Sequence, residues 1–215
     1  MSKSTDLGEV EPIEREGVRG FLHRPTAANG SGMVLTHGAG SDCSGPLLVS
    51  VANAFSAAGL FVLRCDLAFR QQRPKGPPFP SAGAGDRESL RKALGALRPM
   101  ISGALYLGGH SYGGRQASML AAEEPEIAAT LLLLAYPLHP PNKPAQLRTA
   151  HFAEIRTRSV FVSGTTDPFG SPVELRTALS SIPAQSRLLI IEGAGHDLKR
   201  GRFDLAPTLT AVFDR

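Results

Sequence analysis

Tryptophan is absent from this 215-residue chain, and tyrosine occurs only three times. Proteins that stack nucleic-acid bases on aromatic side chains need more of these residues. Basic residues exceed acidic ones, 23 to 19, but they are scattered and form no run of like charge. The charge pattern therefore predicts an ordinary solvated surface, with neither a nucleic acid nor a membrane as partner.

Cysteine is also scarce, and long apolar runs are missing. Cys43 and Cys65 lie far apart and neither has metal-ligand spacing around it, which predicts two free thiols in a reducing compartment. The first residues are polar and lack the apolar core of a signal peptide, and no apolar run approaches the length of a bilayer span. We therefore expect a soluble, cytoplasmic protein.

What the chain does have is the composition of a globular domain. Hydrophobic residues make up 42%, and the length suits one sizeable core. Segments 10–14 and 18–23 predict an antiparallel hairpin, separated by Glu16 and Gly17, and after it apolar strands alternate with helical segments. Strands are predicted at 33–37, 60–65, 104–108, 128–136, 159–163 and 187–191, and helices at 46–58, 86–98, 115–122, 145–154, 172–181 and 203–213.

This alternation predicts an α/β fold with a mainly parallel sheet buried by helices on both faces. The chain contains no internal repeat and no domain linker, so we expect a single domain over residues 1–215. The insertions after the strands, 67–84 and 138–158, are too short to build a full cap domain. Any site at the carboxyl ends of the strands should therefore be open.

The motif Gly109-His110-Ser111-Tyr112-Gly113 is the strongest functional signal in the sequence. It has the form Gly-x-Ser-x-Gly and lies between a predicted strand and a predicted helix. A serine at the tip of such a turn takes a strained conformation, and glycines on either side avoid collisions with the strand and the helix. A glycine-rich turn with a hydroxyl that caps the helix is the structural alternative.

A serine hydroxyl attacks a carbonyl only with a base beside it and a group that orients the base. Asp167 and His196 each follow a late predicted strand, where working groups of a parallel sheet collect. The order Ser111, Asp167, His196 is the order of an α/β-hydrolase triad. As alternatives, Asp167 before a proline could form a turn and His196 could be a solvated loop residue. Asp197 is the rival acid, which we assign to structure or capping.

An oxyanion hole needs two backbone N–H donors. Tyr112 follows the nucleophile and supplies one, and Ala39, in the loop after strand 33–37, is the candidate for the other. In the same loop His37 is interpreted as a structural residue that braces the glycines. Of the six histidines in the chain, none has metal-ligand spacing, so no metal and no other cofactor is expected.

Three arginines are placed near this predicted site. Arg70 and Arg73 lie in a loop after a strand, and Arg115 lies on the helix that follows Ser111. They are candidates to recognise a carboxylate or phosphate on a substrate. The alternative is an internal ion pair with Asp66 or Asp86 that braces the loop.

The chain has a strand followed by the motif around Ser111 and a helix, an aspartate after a late strand, and a Gly-x-Gly-His sequence near its end. In these features it resembles the α/β-hydrolase superfamily over nearly its whole length. Segments 37–40, 64–70, 136–141 and 164–170 are similar to a small bacterial group within it. That group is similar to dienelactone hydrolases and to the hydrolase-like domain of testis-expressed protein thirty and of a histone-acetyltransferase-complex subunit. The resemblance implies a serine hydrolase fold without a large lid.

Two departures from these relatives bear on substrate choice. Dienelactone hydrolases use a cysteine nucleophile where this chain has Ser111, and the narrower group often carries lysine and methionine where this chain has His110 and Tyr112. We expect hydrolysis of small or accessible carboxylic esters through an acyl-enzyme. A thioesterase, lactonase or C–C hydrolase could use the same residues, and a binding or scaffold protein without turnover is the competing class. The oligomeric state is left open.

Overall fold

A computed structural model of the protein describes residues 8–15, 17–199 and 204–213. Eight strands form one sheet: β1 Glu9–Arg15, β2 Val18–Arg24, β3 Gly32–Thr36, β4 Phe61–Cys65, β5 Leu105–His110, β6 Thr130–Leu134, β7 Arg158–Gly164 and β8 Ser186–Ile191. Six α-helices accompany them: α1 Pro46–Ala57, α2 Ala68–Gln72, α3 Gly83–Leu97, α4 Tyr112–Glu123, α5 Pro172–Leu179 and α6 Leu205–Phe213. The predicted α/β architecture is confirmed.

The strand order is β1-β2-β4-β3-β5-β6-β7-β8. The first two strands form the predicted hairpin, β2 pairs antiparallel with β4, and every other neighbouring pair is parallel. Parallel strands end at the same edge of the sheet. The loops after β3, β5, β7 and β8 therefore gather along that one edge.

Both faces of the sheet are covered, as the apolar strands predict. Alternate residues of β6 point to opposite faces: Leu131 and Leu133 pack with α3, α4 and α5, whereas Leu132 and Leu134 pack with α1 and α6. Burial of both faces explains why these strands read as continuous apolar runs and not as alternating ones. None of the helices in the described ranges is both long and apolar enough to cross a bilayer.

The structure departs from the predicted elements in two loops. Residues 145–154 do not form the predicted helix, and only Phe152–Glu154 makes a single 3-10 turn. The Tyr136 hydroxyl donates to the carbonyl of Arg148, and the Arg148 N–H donates to the carbonyl of Leu138, so the backbone of Arg148 is bonded to the core and not into a helix.

The second departure is in the loop at 66–85, which contains the short helix α2 and a 3-10 turn at Pro80–Ala82. Helix α3 begins at Gly83, three residues before the predicted start, and Asp86 lies in its first turn, where its carboxylate accepts from the N–H of Phe69. Glu16 and residue 203, the predicted start of the last helix, lie outside the described residues. Within those residues neither this loop nor 135–157 forms a cap domain.

Candidate active site

Ser111 stands at a sharp turn between β5 and α4. Its backbone has φ 51° and ψ −117°, a conformation that costs energy for any residue with a side chain. Glycine on both sides permits the turn: a Cβ at Gly109 would lie 2.7 Å from the backbone of Gly113, and one at Gly113 would lie 2.5 Å from the carbonyl oxygen of His37. The local sequence therefore presents the Ser111 hydroxyl at the sheet edge, ahead of the α4 N-terminus.

Loops after β7 and β8 bring two further side chains to this hydroxyl. Nε2 of His196 lies 2.7 Å from Ser111 Oγ, and Nδ1 of His196 lies 2.9 Å from Oδ2 of Asp167. An ionised carboxylate only accepts, so Nδ1 carries the proton and Nε2 is left to accept from the serine. The structure thus places the three residues in one hydrogen-bonded line.

At one end of this hydrogen-bonded line, the Asp167 carboxylate is held in place and shielded from solvent. The Asp167 side chain is 1% exposed, and its Oδ1 accepts from the N–H of Phe169 at 2.9 Å. The imidazole of His196 remains 21% exposed, so the serine end opens to solvent. Asp197, the rival acid, instead accepts from the N–H of Lys199 in an exposed turn.

The loop after β3 passes beside the serine. A Cβ at Gly38 would lie 3.0 Å from Nδ1 of His110 and 3.4 Å from Cβ of Ser111, so this loop packs closely against the turn that carries the serine. His37 braces it from below: its buried ring bonds the carbonyl of Gly38 through Nδ1 and accepts from the N–H of Leu67 through Nε2. Burial lowers the pKa of His37, which keeps this ring neutral.

Two backbone N–H groups flank the serine. Tyr112 begins α4, where the first N–H groups of a helix have no intrahelical acceptor. Across residues 8–15, 17–199 and 204–213, the Ala39 N–H also donates no backbone hydrogen bond. The Ala39 carbonyl, in contrast, accepts from Arg70 at 3.0 Å. Both N–H groups therefore have capacity for a ligand.

Comparison with known proteins shows the family and the fold of the chain. Residues 29–207 match the family described as alpha/beta hydrolase domain. The chain belongs to the alpha/beta hydrolase domain family. Its fold is similar to that of a dienelactone hydrolase from Anabaena variabilis, at 22% identity and a TM-score of 0.71, covering 95% of this chain and 94% of that one.

Two more solved structures are similar to this α/β hydrolase. XC6422 from Xanthomonas campestris, described as an α/β serine hydrolase without lid, is 18% identical with a TM-score of 0.74 and covers 94% of this chain and 91% of its own. Est1E from Butyrivibrio proteoclasticus, solved with ferulic acid, is 15% identical with a TM-score of 0.72 and covers 94% of each chain. At these identities the similarity concerns the fold.

The three candidate arginines of this α/β hydrolase have different surroundings. The guanidinium of Arg70 is buried and donates to the carbonyls of residues 39, 41, 73 and 76 at 2.9–3.2 Å. Arg70 thus braces the loop after β3, but not through the suggested ion pair, since Asp66 pairs with Arg19. Arg73 donates to the carbonyl of Pro77 and lies 4.1 Å from the ring centroid of Phe79.

Arg115 differs from both. It lies one turn along α4 from the serine, its N–H bonded to the Ser111 carbonyl at 3.0 Å. Its Nε is buried with no hydrogen-bond partner among the described residues. Asp86, the other suggested ion-pair partner, accepts instead from the Tyr112 hydroxyl at 2.7 Å.

Sequence reasoning missed two side chains that hold His196. The Phe169 ring stacks on the imidazole with centroids 4.1 Å apart, and Nε2 of His110 lies 2.8 Å from the His196 carbonyl. Burial lowers the pKa of His110, so its neutral ring donates this bond through Nε2–H. His110 precedes Ser111 and Phe169 follows Asp167 by two residues. A sequence motif does not indicate which side chains such neighbouring residues contact.

Proposed function

We propose that the protein is a serine hydrolase of the carboxylesterase type, with Ser111 as nucleophile, His196 as general base and Asp167 as the group that orients it. The observation that carries this proposal is the hydrogen-bonded line from the strained Ser111 through His196 to a buried carboxylate. A structural serine needs neither the positive φ nor an imidazole aimed at its oxygen.

The contacts support the following first half-reaction. Oγ of Ser111 attacks the ester carbonyl carbon as its proton passes to Nε2 of His196. The Asp167 carboxylate holds the imidazole in the required tautomer and stabilises the imidazolium. The N–H groups of Tyr112 and Ala39 donate to the oxygen that becomes negative. His196 then gives its proton to the leaving alcohol, and an acyl-enzyme remains on Ser111.

Water completes the reaction in the same geometry. It gives a proton to Nε2 of His196 as its oxygen attacks the acyl carbon, and collapse of the second tetrahedral intermediate returns the proton to Ser111. The exposed fraction of the His196 imidazole, 21%, leaves room for this water. Residues 66–82 and 135–157 form no cap over the serine, which supports short acyl chains or an accessible ester on a larger molecule.

The test is a panel of esters, thioesters and lactones with short acyl groups, measured as kcat/KM. We expect ester turnover that falls by at least about a thousandfold in Ser111→Ala. Ser180→Ala is the matched control, because that hydroxyl is exposed and bonds only the carbonyl of Thr177. Turnover that survives Ser111→Ala would contradict the proposal, and a wild-type protein inactive on every substrate would favour the scaffold class.

We also propose a cytoplasmic location. Cys43 and Cys65 are both buried and unpaired. Burial raises the pKa of the Cys43 thiol to about 12, so it stays protonated and inert. Free thiols of this kind suit a reducing compartment.

A further inference from the structure

A cavity of about 410 Å³ is lined in part by Tyr112, the residue that follows the serine. The segment around Phe79 and Pro80 forms one wall, and Arg87, Arg115 and Gln116 form the other. Arg115 follows Ser111 by one helical turn, and its N–H donates to the Ser111 carbonyl, so this wall of the cavity lies close to the turn that carries the serine.

The two arginines of this wall differ in whether a carboxylate pairs with the guanidinium. Arg87 pairs with Glu123 at 2.8 Å and donates to Oε1 of Gln116 at 3.1 Å. Arg115 has no carboxylate within ion-pair distance in the described part of the chain, where the Glu123 carboxylate pairs with Arg87 instead. A guanidinium that faces no carboxylate is stabilised by an anionic partner, so a carboxylate from outside would be favourable here.

The Tyr136 hydroxyl is hydrogen-bonded to the Arg115 side chain, but this neutral group does not offset the charge of the guanidinium. Burial lowers the pKa of Arg148, and the nearby charge of Arg115 lowers it further. His151 is neutral, because burial first and Arg115 second lower its pKa to about 4. The nearby carboxylates are engaged elsewhere: Asp86 accepts from Tyr112, and Glu123 pairs with Arg87 and with Arg91. The potential around Arg115 is therefore positive.

We propose that Arg115 is a specificity residue that binds a carboxylate carried by the ester substrate, in the cavity it shares with Tyr112. The assignment rests on the proposed esterase function and names its substrate class: esters with a free carboxylate on the acyl or the alcohol part. A carboxylate accepts two parallel hydrogen bonds from a guanidinium. Side chains one turn apart on a helix are about 5–6 Å apart, and this distance suits a small molecule that contacts both Ser111 and Arg115.

The experiment compares isosteric pairs of esters that differ only in charge. Para-acetoxybenzoate and para-acetoxybenzamide place the group on the alcohol part, and monomethyl adipate and its primary amide place it on the acyl part. We expect the wild-type enzyme to prefer the carboxylate member of at least one pair by about tenfold or more in kcat/KM. In Arg115→Gln this preference should vanish through a rise in KM for the carboxylate member of the pair.

Two further variants separate recognition from folding. Arg115→Lys keeps the charge and should restore part of the preference, and Arg98→Gln, which removes an arginine far from the cavity, should retain all of it. Equal turnover of both members of each pair, or a preference that persists in Arg115→Gln, would overturn the assignment and leave the esterase proposal standing. A wild-type enzyme that hydrolyses none of the four esters would overturn both.

Discussion

Substitution of Gly113 tests how closely the start of α4 packs against β3 and the loop that follows it. A Cβ at this position would lie 2.5 Å from the carbonyl oxygen of His37 and 2.7 Å from Cγ2 of Thr36. Both atoms belong to β3 or the loop that follows it, so the clash is relieved only by moving α4 away from the sheet. We expect Gly113→Ala to lower the free energy of unfolding by about 1–3 kcal/mol.

Gly95 offers the same chemical change with the opposite expectation. It is exposed in the interior of α3, and a Cβ there would meet nothing within 4 Å. Alanine in a helix is favoured over glycine by about 0.8–1.0 kcal/mol, so Gly95→Ala should raise the free energy of unfolding by about that amount. The contrast in sign isolates the clash at Gly113 from any general effect of adding a methyl group.

Thermal unfolding followed by circular dichroism measures both variants. For a chain of this length, each kcal/mol moves Tm by roughly 2–4 °C. Gly113→Ala should therefore melt about 2–12 °C below the wild type and Gly95→Ala about 2–4 °C above it. A Gly113→Ala variant as stable as the wild type would refute the close packing of α4 on β3 that positions Ser111.

Two further predictions concern the acid of the triad and a buried histidine. Asp167→Asn should lower kcat by about 10⁴-fold, because an amide no longer selects the tautomer with a free Nε2, and a loss under tenfold on the best ester would contradict the role of Asp167. Burial, and then the charge of Arg64, lower the pKa of His23 to about 4. The unfolded chain therefore binds the proton first, and the free energy of unfolding should fall by up to about 3 kcal/mol between pH 6.5 and 4 in chemical denaturation. In His23→Gln the fall in the free energy of unfolding between pH 6.5 and 4 should be smaller by that amount. An unchanged fall would refute the assignment of this pH dependence to His23.

The sequence predicted the fold because its signals are local and repeated. Continuous apolar strands such as β6, separated by helical segments, allow little except a buried parallel sheet. The positions of Asp167 and His196 followed from the same logic, because both come directly after strands whose ends share one edge. Nothing beyond chain order and strand placement was needed to expect that they meet Ser111.

What could not be predicted depends on the paths of loops. The carbonyls that Arg70 contacts belong to residues 39, 41, 73 and 76, and their convergence appears only in three dimensions. The failed helix at 145–154 has the same origin, since Tyr136 and Leu138 bond the backbone of Arg148 from the core side. Helix propensity is a weak preference that such contacts override.

The central claim is that Ser111 is a nucleophile activated by His196. Incubation with a fluorophosphonate probe, followed by intact and peptide mass spectrometry, tests it directly. The account predicts a single adduct on the peptide that contains Ser111, greatly slowed in His196→Ala and absent in Ser111→Ala. A wild-type protein that stays unlabelled by probes of several sizes, or an adduct that persists in Ser111→Ala, would contradict it.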